Sequence, residues 1–329
     1  MNSPGQRSPS GAQWTIAAAG HEAVVVEVGG GLRTYRVEGV DQLDGYASDE
    51  LCPDSAGQVL APWPNRIRDG RYHFGGRDLQ LSISDPAHDA AFHGLVNWVP
   101  WRLLERSTDA VTLGYELAPT PGYPWSLRLR SRWCVGADGL RAEHEVTNSG
   151  GEPAPFGLAA HPYLRVPDVS VDDAVLRLPA RSRLQVDARQ LPIAECSVVG
   201  TEYDWTVPRR IGRAVLDHTF GDIVRDGDGD GGSAVDLTAR DGGVGTRVWA
   251  DGQFRWWQVF TGDTRPGSRR RRSVALEPMT CPPDAFRSGR DLITLRPGDT
   301  WRGAWGVRPA DSRRCDGVRR GGTASSDGS

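Results

Sequence analysis

The chain has 329 residues, with 38% hydrophobic and 25% charged, the balance of an ordinary globular protein with enough apolar material for a core. A formal net charge of −3 gives no basic footprint for neutralising phosphate backbones. Nucleic acid is thereby excluded as the expected partner, and a small, weakly charged molecule is favoured. All 39 basic residues are arginine, which excludes Schiff-base and lysine general-base chemistry.

In chain order, residues 1–13 are small and polar, without a basic stretch leading into an apolar one, so no export signal is expected. No later run is apolar for 18 residues, so no membrane span is expected either. The five cysteines are scattered, odd in number and lack a CxxC pair. That argues against a disulfide framework or a zinc site and for a reducing, cytoplasmic setting. Residues 1–13 and 311–329 offer little to bury and are expected to be disordered, leaving one folded domain over 14–310.

Within that domain the dominant pattern is alternation of period two. Strands are expected at 23–28 and 110–117. A hairpin follows, with Leu127, Leu129, Ser131, Trp133 and Val135 on one arm and Leu140, Ala142, His144 and Val146 on the other, across the Gly-Ala-Asp-Gly turn at 136–139. Further strands are expected at 174–178, 234–239, 246–250, 256–261 and 293–295; helical periodicity is absent. The 41 glycines and 23 prolines fall mostly between these runs, where turns need positive or fixed φ, so antiparallel connections follow rather than βαβ crossovers. The expected fold class is all-β, a large antiparallel β-sandwich. Residues 226–232 alternate Asp and Gly and read as a hairpin loop; the twelve-residue calcium loop with its terminal Glu is not completed there.

Two segments place an ionisable side chain directly before proline at the edge of an apolar run: Ala159-Ala160-His161-Pro162-Tyr163-Leu164 and Ala275-Leu276-Glu277-Pro278-Met279. A residue before proline is held extended, which presets its side-chain direction. A histidine and a partly buried carboxyl are suited to exchange roles as acid and base. Singly, each reads as a core histidine and an ion-paired carboxylate. They come in company, however: Asn65 and Arg66, then His93-Gly94, later Asp217-His218, and Gln258 inside an apolar strand.

The order Asn-Arg-Ile, His-Gly, Gly-Tyr-Pro at 122–124, His-Pro-Tyr-Leu, Asp-His and Glu-Pro with Pro-Asp-Ala-Phe at 283–286 resembles the aldose 1-epimerase (galactose mutarotase) family. The resemblance implies a galactose mutarotase-like supersandwich with an open sugar cleft and no cofactor or metal. It also implies roles: His161 as general acid at the ring oxygen, Glu277 as general base at the anomeric hydroxyl, and His93, Arg66 and Asp217 as contacts to the sugar. Asn65 and Gln258 are weaker candidates for substrate binding. Ring opening needs one proton to leave O1 while another reaches O5, and closure on the other carbonyl face reverses both transfers. An arginine stays charged at any working pH and suits a developing oxyanion.

Three features bear on substrate and alternatives. Trp63, Trp98, Trp101 and Trp125 lie near the motifs and are candidates for a stacking platform or for core. The four arginines 269–272 read either as a phosphate site, which would make the substrate a hexose 6-phosphate, or as a solvated face. His93-Gly94 is followed by Leu95 where galactose mutarotases commonly have a second glycine, which leaves the sugar's identity open. Two competing functions stand beside the epimerase: glycoside hydrolysis through paired carboxylates such as Asp217 and Glu277, and non-catalytic carbohydrate binding on the same fold.

Overall fold

The computed structural model describes residues 8–225, 231–240 and 244–310. Their regular structure is almost entirely antiparallel strand; the one α-helix among them is the single turn Ala285–Ser288. No helix among the described residues is long and apolar enough to cross a membrane.

Two large sheets build the sandwich. The first has nine strands in the spatial order Arg102–Arg106, Ala110–Leu117, Leu127–Gly136, Gly139–Asn148, Thr300–Pro309, Gly245–Ala250, Ser233–Thr238, Val175–Arg177 and Arg209–Arg210. Its hairpin closes with Gly136 opposite Gly139. The alternation read from the sequence holds on both arms, Leu127 to Val135 and Leu140 to Val146 having every second side chain buried. The second sheet runs Pro192–Ser197, Ala180–Val186, Asp217–Ile223, Trp256–Phe260, Val274–Met279, Ala159–Ala160 and Val59–Leu60, with Tyr163–Leu164 also pairing on Val274–Met279. A four-stranded meander from Gln13–Ala18 to Val40–Asp41 lies against the strand Leu127–Gly136.

The main core draws Leu113, Leu129, Trp133 and Val146 from the first sheet and Phe220, Trp257, Val259 and Leu276 from the second. Burial of such aromatic and branched side chains between facing sheets is the main favourable term in the fold. Because side chains alternate across a strand, the neighbours of those residues point to the second sheet's other face. There Tyr163, Ala275 and Phe260 gather in one satellite cluster and Leu60, Ala159, Trp256 and Met279 in another. The polar motif residues share this outer face.

Several expectations need correction. The strands before and after residues 226–232, Asp217–Ile223 and Ser233–Thr238, belong to different sheets; residues 226–230, on which the hairpin-loop expectation falls, lie outside the described residues, as do 1–7 and 311–329. Packing starts before Trp14: Ser10 is buried, Gln13 opens the first strand, and the Ala12 backbone N–H donates to Glu27 Oε2 at 2.7 Å. Of the arginines 269–272, Arg270 and Arg272 are exposed, as a solvated face would have them, while three of the four are ion-paired. Arg269 pairs with Glu50 at 2.8 Å, Arg271 with Asp263 at 2.7 Å and Asp172 at 2.8 Å, and Arg272 with Asp44 at 2.9 Å. Arg269, Arg271 and Arg272 thus tie loops together through ion pairs.

Candidate active site

Register assembles the central row. Thr219 stands opposite Gln258, and Gln258 opposite Glu277, on three adjacent strands. On the far side of Val274–Met279, Ala159 pairs with Met279 and Tyr163 with Ala275, which sets His161 across from Glu277. Between those pairs sit Pro162 and Pro278, which lack a backbone N–H, and the ladder is interrupted there apart from the Leu276 N–H donating to Pro162 O at 3.2 Å. The gap lets the His161 ring turn toward the carboxyl, with Nε2 3.4 Å from Glu277 Oε1.

A short ribbon supplies the next wall. Arg66–Arg68 pairs with Ala90–Phe92, and its ends, Asn65 and His93, both have positive φ, 52° and 60°. Asn and His are among the non-glycine residues that tolerate this region, and such conformers gather at functional sites. The two lock each other: His93 N–H donates to Asn65 O at 2.9 Å, and Asn65 N–H donates to His93 Nδ1 at 3.3 Å. Accepting at Nδ1 leaves the proton of neutral His93 on Nε2 as a donor. Arg66 lies over the Phe92 ring at 4.6 Å and is held by Asp85, Nε to Oδ2 2.8 Å. Asp217 accepts from Gln258 Nε2 at 2.7 Å, and Gln258 Oε1 accepts from Thr219 Oγ1 at 2.6 Å.

All seven residues singled out from the sequence, Asn65, Arg66, His93, His161, Asp217, Gln258 and Glu277, line one cavity of about 260 Å³, room for one sugar ring. Its remaining lining includes Asp54, Ser55, Phe92, Tyr163, Phe260 and Arg265, which sequence reasoning did not select. Tyr163 was within reach, two residues from His161 and hence on its side of the strand; its ring stacks on His161 with centroids 5.0 Å apart. The aromatic walls are thus Phe and Tyr. Trp63, Trp101 and Trp125 are core, and Trp98 is 50% exposed outside the cavity.

Burial governs the electrostatics. Loss of water pushes His161 down to about 4 and Glu277 well above the ordinary carboxylate range, where the Asp217 charge lifts it further and Arg66 opposes. Both shifts arise from the cost of carrying a charge out of water, and each favours the uncharged form of its side chain. His93 is held well below its usual value by burial, then by His161 and Arg66. Burial also raises Asp217, against the pull of Arg66 and the Gln258 amide. The site thus sets a buried imidazole and a buried carboxyl side by side, next to the His93 ring and the Arg66 guanidinium.

The aldose 1-epimerase family profile matches residues 12–307, and the chain belongs to that family. A relative from Escherichia coli K12, the uncharacterized protein YihR, is 33% identical over 294 residues, spanning 89% of this chain and 92% of the relative. Among solved structures, the GalM/aldose epimerase homologue from C. elegans superposes with a TM-score of 0.79 at 18% identity, covering 91% of this chain and 100% of that one. The galactose 1-epimerase from Lactobacillus acidophilus NCFM gives 0.74 at 20% identity, covering 89% and 92%. At these identities the structural matches establish the galactose mutarotase-like fold.

Proposed function

We propose that this chain is an aldose 1-epimerase that interconverts the α and β anomers of an unphosphorylated aldohexose, with His161 as general acid and Glu277 as general base. The observation that carries the reading is the 3.4 Å contact between His161 Nε2 and Glu277 Oε1 at the base of a ring-sized cavity. O1 and O5 of a pyranose are bonded to the same carbon, so the group that takes a proton from one and the group that gives a proton to the other must both reach one small region of the ring, which two neighbouring side chains can do. Glu277 accepts the O1 proton as His161 donates to O5; the C1–O5 bond opens, the aldehyde turns, and closure on the other face returns both protons. His93 Nε2–H and Arg66 stabilise the ring oxygen's developing charge, while Asn65, Asp217 and Gln258 bind hydroxyls.

A non-ionic substrate is supported by the charges already spent within the protein. Arg66 is paired with Asp85 and Arg265 with Asp44 and Asp54, while Asp54, Asp217 and Glu277 all line the cavity. Hydrolysis finds less support, because the partner of Glu277 is an imidazole, and Asp217 is engaged by Gln258. The test is the optical rotation of freshly dissolved α-D-glucose and α-D-galactose. The protein is expected to accelerate relaxation of at least one of them and to leave glucose 6-phosphate at the spontaneous rate. Acceleration confined to the phosphate ester would refute this substrate class.

A further inference from the structure

Arg265 and Asp54 are used by none of the steps above. The Arg265 side chain is 1% exposed and is held by Asp44 (Nη1 to Oδ2, 2.9 Å), by Ser273 Oγ at 2.9 Å and by the Tyr163 ring, 4.1 Å from the guanidinium carbon to the centroid. Its Nε donates to Asp54 Oδ2 at 2.9 Å, a bond between residues 211 positions apart. Asp54 stands with φ 51° in the turn Pro53–Ser55, and Ser55 follows with φ 56°. Two successive left-handed residues that are not glycine are costly and persist only where their surroundings impose them. The Arg265 bond and the backbone bonds from Ala56 to Pro53 and from Gln58 to Ser55 surround this turn. The Asp54 side chain is nevertheless 39% exposed and lines the sugar cavity, and among the described residues its Oδ1 has no hydrogen-bond partner. Arg66 and His93 adjoin Phe92, whereas Asp54 is joined through Arg265 to Tyr163.

The geometry points to Asp54 as a specificity-determining residue: a carboxylate, positioned by buried Arg265, that accepts a hydrogen bond from a ring hydroxyl of the bound sugar and repels an anionic substituent there. This rests on the epimerase reading above. A carboxylate with one oxygen fixed by a guanidinium and the other free has a set direction, so little ordering is needed when a hydroxyl arrives. The same negative charge favours the protonated form of His161, and Arg265 opposes it.

The test compares wild type with Asp54→Asn and Asp54→Ala on the sugar that wild type epimerises and on its monodeoxy analogues. Asn tolerates the left-handed turn and keeps an oxygen for Arg265, so the fold should hold. Loss of a hydrogen bond to a charged acceptor is expected to raise KM about tenfold to a hundredfold with a smaller change in kcat. One monodeoxy sugar should cost wild type a similar factor and cost Asp54→Asn nothing further. Turnover by wild type with KM unchanged in both variants would overturn the role of Asp54 and leave the epimerase reading standing, as would a lowered melting temperature with unchanged KM. Neither turnover nor calorimetric binding of any of these sugars by wild type would overturn both.

Discussion

His161, held near 4, and Glu277, held well above its ordinary value, titrate in the reverse of the usual order for these side chains. Protonated His161 with ionised Glu277, the productive form, carries the same number of protons as neutral His161 with protonated Glu277, so both belong to one range between the two macroscopic values. The kcat/KM profile is therefore expected to be bell-shaped. Its acid limb should fall at about 4, where the second proton binds, and its alkaline limb lies where Glu277 loses the last one. Because the Asp217 charge helps to raise Glu277, Asp217→Asn should move the alkaline limb to lower pH, which initial rates across the pH range would detect. An alkaline limb that stays in place would contradict that coupling. At this scale His161 and Glu277 were legible because each precedes a proline and stands polar in an apolar run. Asp54 and Arg265 were not, since the bond between them spans 211 residues and nothing local marks either one.

Strand register, more than any single residue, brings the row Thr219, Gln258, Glu277 and His161 together, and tight backbone packing fixes the ribbon beside it. Gly94, the residue after His93, has φ 81°, and a Cβ there would lie 2.0 Å from the Ala61 carbonyl oxygen. Gly94→Ala is expected to cost about 2 kcal/mol or more, from left-handed strain plus a clash that backbone must absorb, and to displace His93. A fall in both melting temperature and kcat would bear this out; an unchanged kcat would show that His93 does not depend on this contact. The hairpin of residues 127–148 was plain in the sequence because its alternation is strict. The strand Thr300–Pro309 was missed although it lies centrally in the nine-stranded sheet. Its burial is nearly continuous, and Gly303 and Gly306 stand where a side chain would strike Trp301 and the Leu140 carbonyl, so neither alternation nor β-propensity announces it.

Over the whole molecule, the burial that poises the site also makes stability pH-dependent. His21, His93, His144, His161 and His218 all have lowered values, burial being the first cause in each; His144 falls to about 3, enclosed between Ser131 Oγ at 2.8 Å and the Trp305 N–H at 3.0 Å. A group whose value is depressed on folding contributes stability that is complete above its unfolded value and declines as pH falls toward the folded one. For these histidines the decline begins near 6.5 and, for His144, continues toward about 3. Glu277, Asp217 and Asp284 are raised and act in the opposite sense, but the five histidines outnumber them. Urea midpoints are therefore expected to drop steadily between neutral and mildly acidic pH; a flat dependence would mean that these histidines charge within the fold. The sandwich class and the seven residues lining the cavity followed from pattern and motif order. The placement of Asp217–Ile223 and Ser233–Thr238 in different sheets did not, because Asp-Gly alternation between them is compatible with any polar connection.

The acid–base pair is tested most directly by anomeric proton exchange, measured by NMR on an equilibrated aldohexose with wild type, His161→Ala and Glu277→Gln. Wild type is expected to exchange the α and β signals above the spontaneous rate. Each variant is expected to lose about a hundredfold to ten-thousandfold of that acceleration while still binding the sugar. Acceleration that survives in either folded variant would contradict the assignment of His161 and Glu277 as the acid and base.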